Sequence, residues 1–330
     1  MKVTYLSLLL AGTLTLTACY NNNYDLSQST AANTDTSTYT IEKCSTDILG
    51  VRSYPDAVGS SVATLSYLDV KGNEKSRSTI AAGKYGVLTQ QGVIVDDRYF
   101  STSNNDDQSS NIIAVSLSSK NSMMILGSNR MSLLTYGNTG KTFYAVKHGA
   151  NWGPPDTLVS FTIKSNSVLN EQIIGTLPAY IISITCNQQN GDIYLLSQET
   201  NTQLYKYANG TLTNIQLSNV RDHSLQGLCY NRSDNMLYAT LTVNYDTRIT
   251  SIVSINPITG YVSLLRDMPV RLAIDVFSTT LDECNNNYIL TGLDLNDTRQ
   301  NFISIYNCNK RSLNTQKLPY FYYGLAIKYK

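Results

Sequence analysis

The chain has 330 residues, enough for one or two domains with a substantial buried core. Its net charge is +1 and only 15% of its residues are charged, which excludes a nucleic-acid binder relying on a basic stripe against phosphates. Two histidines, His148 and His223, leave little material for histidine-based metal or acid–base chemistry.

Lys2 begins the chain with a positive charge, and Val3 to Leu16 follow as an apolar stretch. The stretch is too short, and too interrupted by Thr and Ser, to span a bilayer. It ends in Leu16-Thr17-Ala18-Cys19, which resembles the lipobox of bacterial lipoproteins. The resemblance implies a signal peptide over 1–18 and diacylglycerol on Cys19, with two or more acyl chains giving stable membrane attachment. Tyr20, rather than Asp, follows the cysteine; in that family this fits onward sorting to an outer membrane. Residues 19–45 then read as a tether. They are Ser-, Thr- and Asn-rich with almost no aliphatic residue after Leu26, so the segment has too little apolar surface to order itself.

From residue 46 onward short strands alternate with turn signals, and no amphipathic helix is evident. One strand recurs as Ala63-Thr64-Leu65, Ile113-Ala114-Val115, Val159-Ser160-Phe161, Tyr205-Lys206-Tyr207, Val253-Ser254-Ile255 and Ile303-Ser304-Ile305. A second precedes it each time: Ile48-Leu49, Tyr99-Phe100, Phe143-Tyr144, Ile193-Tyr194, Leu237-Tyr238 and Tyr288-Ile289. Two series sharing one spacing mark an internal repeat. Leading strands such as Leu133-Leu134-Thr135 and Gly227-Leu228-Cys229 come before the pair. Turn dipeptides such as Asn209-Gly210 introduce a fourth strand after it. Residues 46–330 therefore resemble an all-β β-propeller of six four-stranded blades. The first unit lacks a leading strand, and Tyr323–Tyr329 reads as a leading strand with nothing after it. The C-terminal strand is thus expected to join the N-terminal blade and close the ring. A seven-bladed ring with one degenerate blade is the alternative. No signature assigns a named propeller subfamily.

Export permits disulfides. Strands 287–294 and 301–308 should form a hairpin, which makes Cys284 and Cys308 the candidate pair; otherwise both are small hydrophobes. Cys186 and Cys229 read as buried thiols, and Cys44 has no evident partner. Tyrosine is abundant, with 24 in the chain, and reads chiefly as flat packing between blades; the run Tyr320 to Tyr323 leaves open an aromatic binding face.

Several segments imitate functional motifs. Gly137–Thr142 is similar to a phosphate loop, but Thr135 stands where that loop needs glycine, and a strand follows where a helix is required. Asp294, Asn296 and Asp297 offer oxygen ligands but lack a complete calcium-loop pattern, and Asn104–Asp107 reads as a solvated loop. The residues 148–156 form a long insertion bearing His148, Trp152 and two prolines, a candidate contact loop for a partner or a sugar. No catalytic set, metal site or cofactor is identified, with Asp275 the main acidic residue on the leading strands. The expectation is a non-enzymatic binding or scaffold propeller of the bacterial cell envelope, held at the membrane by its N-terminal lipid and serving a protein partner. A carbohydrate- or small-ligand-binding lipoprotein, or a lactonase- or dehydrogenase-like propeller enzyme, is the alternative.

Overall fold

The computed structural model describes residues 44–52, 62–81, 90–104, 109–126, 130–137, 141–149, 154–177, 179–198, 202–220, 223–243, 249–295 and 297–330. The signal segment, Cys19 and Trp152 lie outside them, as do the side chains of His223 and Asp275. Every named element is a strand, and the strands form six antiparallel four-stranded sheets.

The first sheet takes β1 (Thr46–Arg52), β2 (Val62–Leu68) and β3 (Glu74–Ala81) from the start of the ring, and its innermost strand, β24 (Tyr323–Tyr329), from the end. The second contains β4 (Val93–Val95), β5 (Arg98–Asn104), β6 (Ser110–Ser116) and β7 (Ser122–Leu126). The third contains β8 (Met131–Gly137), β9 (Thr142–Lys147), β10 (Asp156–Lys164) and β11 (Ser167–Leu177). β12 (Ile181–Cys186), β13 (Ile193–Ser197), β14 (Leu204–Ala208) and β15 (Thr211–Ile215) make the fourth. β16 (His223–Asn231), β17 (Met236–Val243), β18 (Ile249–Ile255) and β19 (Val262–Asp267) make the fifth. The sixth has β20 (Leu272–Asp282), β21 (Asn287–Asp294), β22 (Asp297–Asn307) and β23 (Ser312–Leu318). Neighbouring innermost strands touch around the ring, and β20 meets β24 to complete it.

In five blades the two recurring sequence series are register partners, while in the first Ile48 and Leu49 pair with Leu68 and Tyr67. Tyr99 pairs with Val115, Phe143 with Phe161, Ile193 with Tyr207, Leu237 with Ile255 and Ile289 with Ile305. The core is divided among the gaps between sheets: six apolar clusters each join two adjacent blades. Successive residues of one strand serve opposite gaps. Tyr99 faces the first blade, and Phe100 faces the third. Inner strands are consequently buried on both faces, as in the unbroken buried runs of β1, β12 and β13. Outer strands such as β15 and β23 mix exposed and half-buried positions.

Tyrosines span the gaps. Tyr194 stacks on Tyr230 at 5.7 Å and Tyr238 on Tyr288 at 6.3 Å, each pair joining neighbouring blades. Hydroxyls of the buried rings find acceptors: Tyr99 donates to the Gly324 carbonyl and Tyr288 to that of Gly227, both at 2.7 Å. Each carbonyl belongs to a bulge in an innermost strand. Gly227 adopts φ +71°, and a Cβ there would stand 2.9 Å from the Tyr288 oxygen, so this position requires glycine. Of the terminal aromatic run, Tyr322 is buried between the sixth and first blades, while Arg52 lies over the Tyr320 ring.

Closure uses more than strand pairing. β1 and β24 pair from Thr46–Tyr329 to Val51–Tyr323, and Lys330 N–H donates to the Ser45 carbonyl at 3.1 Å. The disulfide joins Cys44 to Cys284, not Cys284 to Cys308. The hairpin register explains the correction. Asn287 pairs with Asn307, and the Cys308 N–H bonds the Asn286 carbonyl, so Cys284 sits beyond the hairpin in the β20–β21 turn. That turn meets the chain start. Asn285 donates to the Cys44 carbonyl at 3.2 Å and Thr46 to Asp282 at 3.1 Å. Cys44 and Ser45 are therefore part of the ring. Cys308 remains a thiol packed in the gap between the fifth and sixth blades.

Candidate functional site

The two ring faces are built from different connections. One carries all turns from first to second and from third to fourth strands, each of two to six residues. The remaining connections, among them those spanning 53–61, 82–92, 148–155 and 216–222, begin and end at the opposite strand ends. Cys44 and its disulfide lie on the short-turn face.

A cavity of about 320 Å³ occupies the short-turn half of the central channel, with walls from the innermost strands of all six blades. Thr135, Thr185 and Thr280 are among its lining residues. Other side chains there are committed to backbone: Gln91 donates to the Leu228 carbonyl at 2.6 Å, and Gln188 to that of Tyr136. At the mouth Arg232 lies 3.4 Å from Glu283. Burial pushes the Glu283 carboxyl above its usual range, against the opposing pull of Arg232. Among the described residues no three His, Cys, Asp or Glu side chains converge to hold a metal ion. Burial raises the Cys186 and Cys229 thiols to about 12 and Cys308 to about 11, which keeps them protonated and unreactive near neutral pH.

The most organised polar cluster lies on the long-loop face of the third blade. His148, expected as part of an exposed contact loop, is instead turned inward and only 4% exposed. The β9–β10 hairpin explains this. Thr157 pairs with Lys147, so the next residues along each chain path, His148 just past β9 and Asp156 at the start of β10, lie side by side. His148 Nδ1 is 3.0 Å from Asp156 Oδ2, and its Nε2 is 2.6 Å from Ser132 Oγ at the start of β8. Asp156 is 0% exposed and also accepts the Ile181 N–H of the fourth blade at 2.6 Å. Tyr180 stacks on the imidazole at 4.7 Å. Arg130 donates to the Gly149 carbonyl at 2.9 Å, fixing the residue after His148. A carboxylate only accepts, so Nδ1 carries a proton, and in the neutral imidazole Nε2 is then the acceptor facing the serine hydroxyl. Chemically this arrangement can polarise the Ser132 O–H bond.

Ser132 and Asp156 were absent from the sequence-derived site. Asp156 was detectable in principle, because strand pairing around 148–155 places the ends of that segment together. Ser132 depends on the path of β8 relative to β9, which no local pattern specifies.

No protein-family model matches the chain, and no curated protein matches its sequence. Solved structures do share its fold. TolB from Acinetobacter baumannii aligns over 86% of this chain and 67% of its own, with TM-score 0.65 and 11% identity. A chain of a Nidogen/Laminin complex aligns over 86% and 98%, with TM-score 0.60 and 13% identity. The periplasmic gluconolactonase PpgL of Pseudomonas aeruginosa aligns over 86% and 99%, with TM-score 0.56 and 11% identity. The chain shares with these the architecture of a β-propeller, here with six blades.

Proposed function

We propose that this chain is a binding propeller of the bacterial cell envelope, tethered through an acylated Cys19 and presenting its long-loop face to a protein partner. The observation that carries this reading is the asymmetry of the ring. The chain enters at Cys44 on the short-turn face, where the disulfide, the closing strand and the lysine contacts of Asp47 gather. The longer connections, of a kind that tolerates variation and commonly carries recognition, start and end at the opposite strand ends. Similarity to a periplasmic gluconolactonase supports an envelope location, and similarity to a chain crystallised in a Nidogen/Laminin complex supports a protein partner. A small-ligand role is the second reading, favoured by the 320 Å³ channel cavity, which lies at the small end of ligand pockets.

Cell fractionation tests the anchor: Cys19→Ser should move the protein from the membrane to the soluble envelope fraction. Affinity purification after mild solubilisation tests the partner. Native protein should bring down a stoichiometric companion, which a folded variant with 53–61 and 82–92 replaced by Gly-Ser segments should lose. Membrane retention of Cys19→Ser would overturn lipid tethering. Recovery of native protein alone, where established envelope complexes survive, would overturn the partner reading.

A further inference from the structure

The third blade combines the hydrogen-bonded set described above with a strained backbone. Between Ser132 and Thr135, β8 advances one residue more than β9, a β-bulge. Leu133 within it adopts φ +52°. The innermost strands of the fifth and first blades carry corresponding bulges with Gly227 at φ +71° and Gly324 at φ +57°. Glycine holds this conformation without penalty, whereas a leucine costs about 1–2 kcal/mol. The third blade keeps that strain immediately after Ser132, and Leu133 is held by burial between the third and fourth blades. Bulges of this kind re-aim a neighbouring side chain.

The three groups are graded in exposure. Asp156 and His148 are buried, whereas Ser132 is half-buried at the end of the relay nearest solvent. Each outer partner is fixed independently: Asp156 by the Ile181 N–H, the imidazole by the Tyr180 ring, and the residue after His148 by Arg130. A clasp between blades needs only the Asp156–Ile181 contact. It does not need a serine hydroxyl 2.6 Å from the second nitrogen of an oriented imidazole.

We propose that Ser132 is a nucleophile activated by His148, with Asp156 as the orienting residue, and that the site cleaves small carboxylic esters. This activity goes beyond the binding role and does not depend on it. Ser132 Oγ bonds to the ester carbonyl carbon as its proton passes to His148 Nε2. Collapse of the tetrahedral adduct breaks the C–O bond to the leaving alcohol, which takes that proton and departs, leaving acyl-Ser132. A water molecule then gives a proton to Nε2 as its oxygen bonds to the acyl carbon. The acyl–Oγ bond breaks, Ser132 recovers the proton, and a carboxylic acid is released. The sum is ester plus water giving acid plus alcohol. Asp156 holds the imidazole tautomer and stabilises its charged form without itself taking a proton.

The test treats purified mature protein with a fluorophosphonate, whose phosphorus bonds to an activated serine with loss of fluoride, and maps the adduct by peptide mass spectrometry. 4-Nitrophenyl acetate hydrolysis is measured in parallel, with Ser132→Ala as the comparison. The expected result is an adduct on Ser132 and an acetate rate at least ten-fold lower in Ser132→Ala, with thermal unfolding of that variant close to the native chain's. No adduct on Ser132 in folded native protein, or equal hydrolysis by native protein and variant, would overturn the proposal. If Ser132→Ala fails to fold, adduct mapping on the native chain decides alone.

Discussion

The short-turn and long-loop faces are made by the same twenty-four strands and differ in what the connections are asked to do. On the short-turn face the tight connections bond to themselves. Asn187, Asn231 and Asn256 each accept backbone N–H groups two or three residues on, capping turns from within. That face also gathers the closure: β24 against β1, the Cys44–Cys284 bridge, and Asp47 between Lys75 and Lys330. At the opposite strand ends the described polar contacts reach between blades, from His148 and Asp156 to Ile181 and from Leu225 N–H to Thr202. The lesson is that the described closure contacts gather at one end of the disc.

The disulfide gives the largest expected difference. It links residues 240 apart across the seam, and a bridge of this kind contributes roughly 2–5 kcal/mol. Cys44→Ala with Cys284→Ala, or reduction, should lower the thermal unfolding temperature by several degrees, whereas Cys308→Ala should change it little. Calorimetry of the three proteins checks this. Equal destabilisation by loss of Cys308 would mean that the seam is not where the short-turn face is fastened.

The contrast between faces also marks where the sequence was readable. The repeat was legible because each blade needs apolar residues at the paired positions of its second and third strands, so packing writes the same pattern six times. Closure was legible because an unpaired leading strand at Tyr323–Tyr329 and a missing one before Thr46 complete each other. The disulfide was misread because hairpin adjacency is local, whereas Cys44 meets Cys284 only after the ring shuts. The Ser132 site was hidden for a related reason. His148 was visible as a rare residue in a long insertion, but whether it pointed out or in depended on the β9–β10 register and on a bulge in β8.

A smaller effect should come from Asp47, and it carries a pH signature. Burial pushes its carboxyl up, but hydrogen bonds and charges from Lys330 and Lys75 hold it below its ordinary range. A folded-state pKa below the unfolded one stabilises above the unfolded value, and the gain disappears as pH falls through the folded one. Because both lysines are nearly half exposed, the contribution is about 1 kcal/mol. Asp47→Asn should therefore destabilise the ring at pH 7, and the gap from the native chain should close as pH falls below the ordinary aspartate value. Denaturant titrations across that range measure it. Glu283, also on the short-turn face, runs the opposite way: its carboxyl is raised by burial, so it opposes folding once ionised. A pH-independent gap between native protein and Asp47→Asn would remove ionic closure from the account.

The smallest effect tests the faces against each other directly. Inserting Gly-Ser-Gly-Ser into 53–61 lengthens a nine-residue connection between β1 and β2. Loop-closure entropy rises only with the logarithm of length, so the cost is about 0.3 kcal/mol. The same insertion between Asn209 and Gly210 breaks a two-residue turn whose φ angles, +51° and +77°, suit the twist of β14 and β15. There it removes the turn that sets the pairing of Ala208 with Thr211, and the loss should be about 1 kcal/mol or more. β15 is an outer strand, so both variants should still fold, and urea midpoints can rank them. Similar midpoints would show that short connections on the first face are a habit of the repeat rather than a structural requirement. A larger loss from the 53–61 insertion would show that the long-loop face shares in holding the ring together.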